Sequence, residues 1–488
     1  MHGKTRYPAQ MFRVLYEADV EVDDIPRAIP EFCVSLPRIL ITPCRVNVSG
    51  FEVEMSNRIV RKFIENVGFS NEAFIRVSVG DENGDKLFSD DLSQQVETRI
   101  TDLILNGITL GKKRYLFLAY SSSQLKEQSL WLVSPEHGWS VSRMRASMGD
   151  FTMCKTPSKF AARMGQCFST TIDTSYSGRT LSMMEKVGFS GRSKEQAPRV
   201  CDNFPDITSY NKSTCTEMVH SDGVGLIRRE LLVEVLKQIP FGPKDKRDIS
   251  AVQVRYGGAK GVLVAWDFAE LNISRYDVCL RPSMVKFKAP YDNLEVITIA
   301  KAIPYFLNRN VILLGQYHGI SEDIFLELQA NHIESLNRML TDAAFAATFI
   351  RQLSGPDNGL MTTLRHMLYA GLKPDIDPFL FGCLHCTRSH HLMNLRKKAR
   401  IHVEDGVVLI GGIDELGLLA EGQVFLQVQR PDHGHAVDGQ EHDEYMVVVG
   451  QVMVTKHPVV HPGEFCCTDL YVSLDIIFMC LTFASCAS

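Results

Sequence analysis

Two lysines lie in short segments that combine arginine with residues suited to close packing. Lys260 belongs to the segment Arg255-Tyr256-Gly257-Gly258-Ala259-Lys260-Gly261, and Lys286 belongs to Arg281-Pro282-Ser283-Met284-Val285-Lys286-Phe287. Glycine lets a backbone or a ligand come close, and a pair of ammonium groups suits a polyphosphate. The stretch between them, including Val262–Trp266, is apolar and typical of strands. From the residues alone, the two lysines either face a ligand or are exposed strand lysines.

Phosphoryl transfer at such a site would also require carboxylates that hold a metal ion. The sequence has no Walker loop, nucleophile elbow or HExxH motif.

Cys383–Cys386, with His390 and His391 nearby, resembles half of a zinc site, but no second CxxC exists, which favours ordinary thiols and surface histidines. The histidine-rich loop Asp432–Glu444 is interpreted as solvated, and Asp81–Asp85 as a turn rather than a calcium loop.

Composition indicates a globular protein of two to four structural units. The chain has 488 residues, of which 45% are hydrophobic and 22% charged, and a net charge of −5. That charge argues against a generally basic nucleic-acid binder but permits a local basic channel. No charged-then-apolar leader opens the sequence, so the 13 cysteines are expected to be reduced thiols of an intracellular protein, cytoplasmic or nuclear. The apolar run Ile476–Ala484 is too short to span a bilayer, which argues against a membrane protein.

Periodicity and turn signals place these segments in alternating β-rich and helical blocks. We expect helices from Ser56 to Gly68, over Val96–Leu105, from Val224 to Gln238, and through 321–372 with Ser321 at its start. We expect strands over Arg114–Tyr120, through 250–290, on both sides of a hairpin turn at Asp405-Gly406, and over Val424–Val428 and Met446–Thr455. The sequence therefore predicts two β-rich blocks separated by a helical insert.

Several segments together resemble the eukaryotic cellular RNA-dependent RNA polymerases of RNA silencing. The match spans about residues 40–464. The resemblance rests on the following segments, in chain order: Glu54-Met55-Ser56-Asn57-Arg58, Phe117–Leu125, Ala161-Ala162-Arg163-Met164-Gly165-Gln166-Cys167-Phe168-Ser169-Thr170-Thr171, Ser221–Gly225, the segments of Lys260 and Lys286, Leu307-Asn308-Arg309, Ile413-Asp414-Glu415-Leu416-Gly417, Gly422–Phe425 and His457–Gly463.

The resemblance implies an α+β fold with two double-psi β-barrels, the second one truncated. A mixed α/β region would occupy residues 1–205, the first double-psi β-barrel 206–290, a helical connector 291–398 and the start of the second barrel 399–464. Residues 465–488 would form a divergent tail.

The resemblance also implies RNA-directed RNA polymerase activity, which copies a single-stranded RNA template with nucleoside triphosphates into double-stranded RNA. RNA-silencing factors would be partners, whereas neither a membrane nor DNA as the main ligand is expected. By resemblance, Lys260 and Lys286 would contact the triphosphate or the growing end. Arg255 and Arg281 would belong to the same basic wall, and Arg163 and Gln166 would lie near the RNA path.

The sequence departs from the family after His461-Pro462-Gly463. There the family continues to an Asp-x-Asp-Gly-Asp loop that binds Mg²⁺, whereas this chain reads Phe465-Cys466-Cys467-Thr468-Asp469-Leu470 and contains no such triad. We therefore expect phosphate binding without phosphoryl transfer, and an open edge on the second barrel. The cysteine-dense tail favours a prematurely terminated or mis-spliced product over an isoform with a regulatory tail.

Two alternatives to the polymerase interpretation stay open. One is a catalytically dead RNA-binding or decoy fragment that keeps the template and nucleotide contacts. The other is a non-functional product that does not fold.

Overall fold

The protein is described from a computed structural model. The structure describes residues 29–82, 90–121, 129–177, 179–180, 199–211, 215–221, 223–240, 249–354, 359–420, 423–429, 445–450, 452–456, 458–468 and 477–481. The histidine-rich loop 432–444, most of the acidic segment 81–85 and the tail residues 469–476 and 482–488 lie outside these ranges.

The first unit is a six-stranded sheet covered by helices. Its strands are β1 (Cys33–Ile41), β2 (Val46–Met55), β3 (Phe74–Val79), β4 (Ile108–Leu110), β5 (Lys113–Tyr120) and β6 (Leu130–Val133), in the order β2-β1-β3-β6-β5-β4. Its helices are α1 (Arg58–Arg61), which continues as a π-helix over Lys62–Val67, α2 (Asp90–Asn106), α3 (Val141–Ala146) and α4 (Pro157–Gln166). The predicted helix at 96–105 and the strand at 114–120 are confirmed within α2 and β5.

Helix α1 begins one residue later than the sequence predicted. Asn57, not Ser56, is the N-cap residue, because its side chain accepts hydrogen bonds from the backbone N–H groups of Ile59 and Val60. The backbone of Asn57 also bridges Thr170, and the N–H of Thr171 donates to Ser56 O at 3.3 Å. The segment entering α1 is thereby attached to the segment leaving α4.

The second unit is built on an eight-stranded sheet. Its strands are β7 (Ile172–Ser177), β8 (Arg179–Thr180), β9 (Arg199–Cys201), β12 (Val224–Arg228), β13 (Ala251–Tyr256), β14 (Ala259–Trp266), β15 (Val278–Cys279) and β16 (Asn293–Ile299). They lie in the order β7-β16-β13-β14-β12-β15-β9-β8, and β10 (Thr208–Asn211) and β11 (Thr216–Val219) form a separate hairpin. Helix α5 (Arg229–Lys237) packs on this sheet through Leu232, Val235 and Leu236.

The prediction of a helix starting at Val224 was wrong for its first five residues. Residues Val224–Arg228 form strand β12, which pairs parallel with β14 and antiparallel with β15, and the helix begins only at Arg229. The apolar spacing from Val224 to Ile227 fits a helix face, but an interior strand is buried on both faces and shows no alternation. Periodicity alone does not separate these two cases.

A five-helix connector follows the eight-stranded sheet. After β17 (Ile303–Phe306) come α6 (Arg309–Tyr317), α7 (Glu322–Arg338), α8 (Ala343–Leu353), α9 (Gly359–Tyr369) and α10 (Pro378–Lys398). The predicted start at Ser321 is confirmed, since its hydroxyl accepts a hydrogen bond from the N–H of Asp323 at 3.3 Å. Helices α7 to α10 share an apolar core centred on Leu336, Ile350 and Leu384.

The third unit is a five-stranded sheet of order β17-β18-β23-β21-β22. Its further strands are β18 (His402–Leu409), β21 (Val452–Lys456), β22 (Phe465–Thr468) and β23 (Ile477–Leu481), and β19 (Gln427–Gln429) and β20 (Tyr445–Val447) pair separately. The predicted hairpin at Asp405-Gly406 was wrong: β18 runs through both residues. Tyr305 pairs with Val403 but Pro304 pairs with Val407, so the Asp-Gly pair lies in a bulge against β17.

The described residues after 464 form strands of this five-stranded sheet and do not lie apart from it. Strand β22 pairs antiparallel with β21, and β23 lies between β18 and β21, parallel to both. The chain thus contributes two strands to this sheet, in which β17 and β22 are the edge strands. The architecture confirms a mixed α/β protein with β-rich blocks on either side of a helical connector. Among the described helices, none combines the length and apolar character needed to cross a membrane.

Candidate functional site

Backbone pairing brings the segments of Lys260 and Lys286 together. Lys260 lies in β14, and Lys286 follows the 3₁₀ turn Pro282–Met284. Ala259 and Val285 form an antiparallel bridge, and the N–H of Lys286 donates to Gly258 O at 3.1 Å. Both lysines are half-buried, and the ammonium group of Lys286 also donates to Ser283 O. The two cations that the sequence singled out therefore lie on neighbouring backbone segments.

The glycines near Lys260 allow this approach of two backbones. A Cβ added to Gly258 would lie 1.7 Å from Phe287 O, and one added to Gly261 would lie 2.1 Å from Gly223 O. No side chain fits such distances without movement of the backbone. The glycines thus accommodate protein backbone.

A row of charged residues crosses four strands of the eight-stranded sheet. Asp173 of β7 pairs with Glu295 of β16, Glu295 pairs with Arg255 of β13, and Arg255 pairs with Lys260 of β14. Directly opposed residues of neighbouring strands project to the same face. The row therefore changes from two acids to two bases along one face, and Lys260 is at its basic end.

Arg255 and Gln166 both line a narrow crevice beside this row. Arg255 donates to Ser169 Oγ at 3.3 Å, and Gln166 Nε2 donates to Gly258 O at 3.3 Å. Gln166 is only 5% exposed, and its Oε1 accepts no hydrogen bond from the described residues. Arg163 is half-buried one turn earlier on α4. The structure brings Arg255 and Gln166 together in the crevice, whereas Arg163 is not among the residues that line it.

A buried cluster of two arginines and one glutamate lies at the acidic end of the row. Arg58 donates through Nε to Glu295 at 2.7 Å and through Nη1 to Gly257 O at 2.7 Å. Arg61 donates to the second oxygen of Glu295 at 2.7 Å and to Thr171 Oγ1 at 2.9 Å. Burial opposes the charge on Arg58, but the Glu295 carboxylate outweighs it and raises the pKa of Arg58. This cluster joins α1 of the first unit to the sheet that carries Lys260.

Sequence reasoning missed this cluster, although parts of it lie in the segments that carried the resemblance. Arg58 ends one of those segments, and Thr171 ends another. Glu295 lies in none of them and has only a strand-like context, so no local signal marks it. Asp173, which pairs with Glu295 across the sheet, has a pKa above the ordinary value because burial and the Glu295 carboxylate both raise it.

The Arg281 side chain is buried and makes its contacts inside the protein. It is 1% exposed, its Nη2 lies 2.6 Å from both carboxylate oxygens of Glu415, and its Nε donates to Val224 O at 2.8 Å. The guanidinium also contacts Pro205 O and lies 4.7 Å from the centre of the Phe204 ring. The structure thus differs from the sequence expectation of a basic-wall residue, because Arg281 instead ties the second unit to the segment after β18.

The described residues do not provide a magnesium site. They contain no group of three or more His, Cys, Asp or Glu side chains that could hold a metal ion. Cys383 and His385 lie in the middle of helix α10 with Cys386, which is exposed. The part of the chain that the structure describes therefore does not fit the Mg²⁺ ligand set that the resemblance implied.

Comparison with known proteins identifies the family. The family model described as RNA dependent RNA polymerase matches residues 41–465, and the chain belongs to this family. RNA-dependent RNA polymerase 1 of Arabidopsis thaliana is 32% identical over 475 residues, which cover 94% of this chain and 38% of that protein. Probable RNA-dependent RNA polymerase 1 of Oryza sativa subsp. japonica is 33% identical over 429 residues, covering 85% of this chain and 51% of that protein.

A solved structure supports the fold. RNA dependent RNA polymerase QDE-1 from Thielavia terrestris superposes with a TM-score of 0.55 at 15% identity, over 98% of this chain and 55% of that one. The chain spans about 38% to 51% of the length of the two plant relatives. The sequence expectation of family and extent, residues 40–464, is confirmed.

Proposed function

We propose that this chain supplies the cationic, nucleotide-binding part of an RNA-directed RNA polymerase of the silencing type. The observation that carries the proposal is the pairing of the Lys260 and Lys286 segments at the basic end of the charge row. Lys260, Lys286 and Arg255 would bind the triphosphate of a nucleotide or the phosphates of the growing end. Arg163 would lie along the RNA strand, and Gln166 would hold the Gly258 backbone beside that path. Arg281 would act as an internal tie.

The proposal includes the finer fold assignment. The eight-stranded sheet would correspond to the first double-psi β-barrel and the five-stranded sheet to the second. The parallel pair β12–β14, flanked by antiparallel strands, is compatible with such a barrel. Single-stranded RNA and nucleoside triphosphates would be the ligands, and double-stranded RNA for silencing the product of a complete site.

The residues present favour binding over catalysis. Cations can hold a triphosphate as fixed charges, but in-line displacement with two bracing metal ions requires carboxylates. Neither the sequence nor the described residues provide that carboxylate set, so these residues support phosphate binding and not phosphoryl transfer. A catalytically dead RNA-binding or decoy protein is therefore the second candidate function, and it requires the same lysines.

Ligand binding tests the proposal directly. Titration of a fluorescent nucleoside triphosphate and of single-stranded RNA should show binding that weakens steeply with salt, as expected for phosphate contacts. Lys260→Ala/Lys286→Ala should lower triphosphate affinity by at least about tenfold, since each lost phosphate contact is worth about 1 kcal/mol or more. Lys112→Ala/Lys373→Ala removes the same charge from two exposed sites and should leave the affinity unchanged.

Two outcomes would contradict the proposal. Equal affinity of the two double variants would show that the paired lysines do not hold the triphosphate. Nucleotide incorporation by this chain on an RNA template with Mg²⁺ would show that its residues do form a metal site.

A further inference from the structure

Two cysteines face each other near one edge of the eight-stranded sheet. Cys201 of β9 and Cys279 of β15 are directly opposed in a parallel pair, next to the opposed residues Val200 and Val278. The N–H of Leu280 donates to Cys201 O at 2.7 Å, which fixes the register. Both thiols are free, and they lie 78 positions apart in the chain.

Their geometry is close to that of a disulfide. Neighbouring strands lie about 4.7–4.9 Å apart, and disulfides join α-carbons about 4.4–6.8 Å apart. Opposed residues of neighbouring strands project to the same face, and Cys201 packs against the apolar cluster that contains Cys279. Because β9 and β15 are short strands of three and two residues, a small movement can bring the sulfur atoms together.

The two thiols differ in their exposure. Cys279 is fully buried beside Leu226 and Phe268, whereas Cys201 is half-buried. Burial, and then the neighbouring Cys201, raise the pKa of Cys279 to about 12, so its thiol stays protonated at neutral pH. Cys201 is therefore the thiol that a small oxidant meets first.

We propose that Cys201 and Cys279 form a redox-sensitive pair that a peroxide converts to a disulfide. Cys201 Sγ attacks one peroxide oxygen, the O–O bond breaks, and one water leaves as Cys201 becomes a sulfenic acid. Cys279 Sγ then attacks the sulfenic sulfur, the S–O bond breaks, and the hydroxyl leaves with the thiol proton as a second water. Two thiols and hydrogen peroxide thus give one disulfide and two waters, and thiol exchange restores the reduced pair.

The disulfide would fix a strap that supports the turn before Lys286. The strap, residues 199–206, ends at Asp206, whose carboxylate accepts hydrogen bonds from Ser283 Oγ at 2.6 Å and from Ser283 N–H at 3.0 Å. Pro205 O accepts from the Arg281 guanidinium. Oxidation would join the start of this strap covalently to β15, whether or not Lys286 binds a nucleotide.

The test uses the full chain, reduced with dithiothreitol, exposed to hydrogen peroxide and then alkylated with N-ethylmaleimide. Mass spectrometry of a non-reduced tryptic digest should find a peptide with Cys201 linked to one with Cys279. The melting temperature should rise on oxidation and return after dithiothreitol, because the cross-link closes a long loop of the unfolded chain.

Matched variants identify the pair. Cys201→Ser should lose both the linked peptide and the rise in melting temperature, whereas Cys383→Ser, which removes a half-buried thiol from α10, should keep both. The proposal fails if the wild-type digest shows Cys201 unmodified, oxidised alone, or linked to another cysteine. A linked pair with no rise in melting temperature would overturn the supporting role of the strap.

Discussion

Acidification should destabilise the helical connector through a buried histidine. His332 of α7 is 3% exposed, and its Nδ1 accepts a hydrogen bond from the N–H of His402, the first residue of β18, at 3.1 Å. The ring centre of His391 lies 5.8 Å away and that of His402 6.1 Å away. Burial first, and then these two histidines, lower the pKa of His332 from 6.5 to about 3.

The lowered pKa of His332 determines whether stability rises or falls with pH. Between pH 6.5 and about 3 the unfolded chain takes up a proton at this position that the folded chain does not, so stability is lost as the pH falls through this window. At pH 5, about 1.5 units below the ordinary pKa, His332 should cost about 2 kcal/mol relative to pH 8. Protonation at Nδ1 would also remove the acceptor that ties α7 to β18.

The assay is urea unfolding at pH 8 and pH 5, followed by far-ultraviolet circular dichroism. In His332→Asn the amide oxygen can replace Nδ1 as acceptor but does not titrate, so the stability lost between the two pH values should be about 2 kcal/mol smaller than in the wild type. His366→Asn removes an exposed histidine from α9 and should leave the loss unchanged. If His332→Asn and the wild type lose the same stability, or if His366→Asn matches His332→Asn, the reasoning is refuted.

Three further predictions concern the charge row and its surroundings. Gly258→Ala should cost about 3 kcal/mol in urea unfolding, because the added methyl overlaps a backbone carbonyl. Gly382→Ala, in open space on α10, should instead gain about 0.5–1 kcal/mol, and equal effects would contradict the packing argument. Glu295→Gln should cost about 3–5 kcal/mol by leaving two buried arginines uncompensated, whereas Glu52→Gln, in an exposed ion pair, should cost less than about 1 kcal/mol. Asp173→Asn should raise the melting temperature at pH 7, because the raised pKa shows that folding disfavours the charged form. That gain should shrink toward acidic pH as the wild-type carboxyl takes up its proton, and a constant gain would argue against a charge effect.

The sequence predicted the elements that have strong local signals. Ser321 with two acids in the first turn marked the start of α7, and the apolar strand at β5 was found from its composition. The wrong predictions at Val224 and at Asp405-Gly406 concern segments whose conformation is decided by neighbouring strands. Pairing partners far along the chain override local propensity there.

The candidate site could be predicted only in part, because some of its contacts also join residues far apart in the chain. The two lysines could be singled out because glycines surround one of them and because the family resemblance covers both. The roles of Arg281 and Glu295 could not be predicted, since both depend on partners more than 130 residues away. The local sequence Arg-Pro-Ser is the same whether the arginine binds a phosphate or a buried glutamate.

The Arg58–Glu295 pair also constrains the order of events during synthesis. The two residues are 237 positions apart, and at about 5–20 residues per second a ribosome needs roughly 12 to 47 seconds to proceed from one to the other. During that interval the first unit can form its own sheet, but Arg58 and Arg61 lack the carboxylate of Glu295. The nascent first unit should therefore be incompletely stable until β16 emerges, and this delay is the period in which a molecular chaperone would bind it.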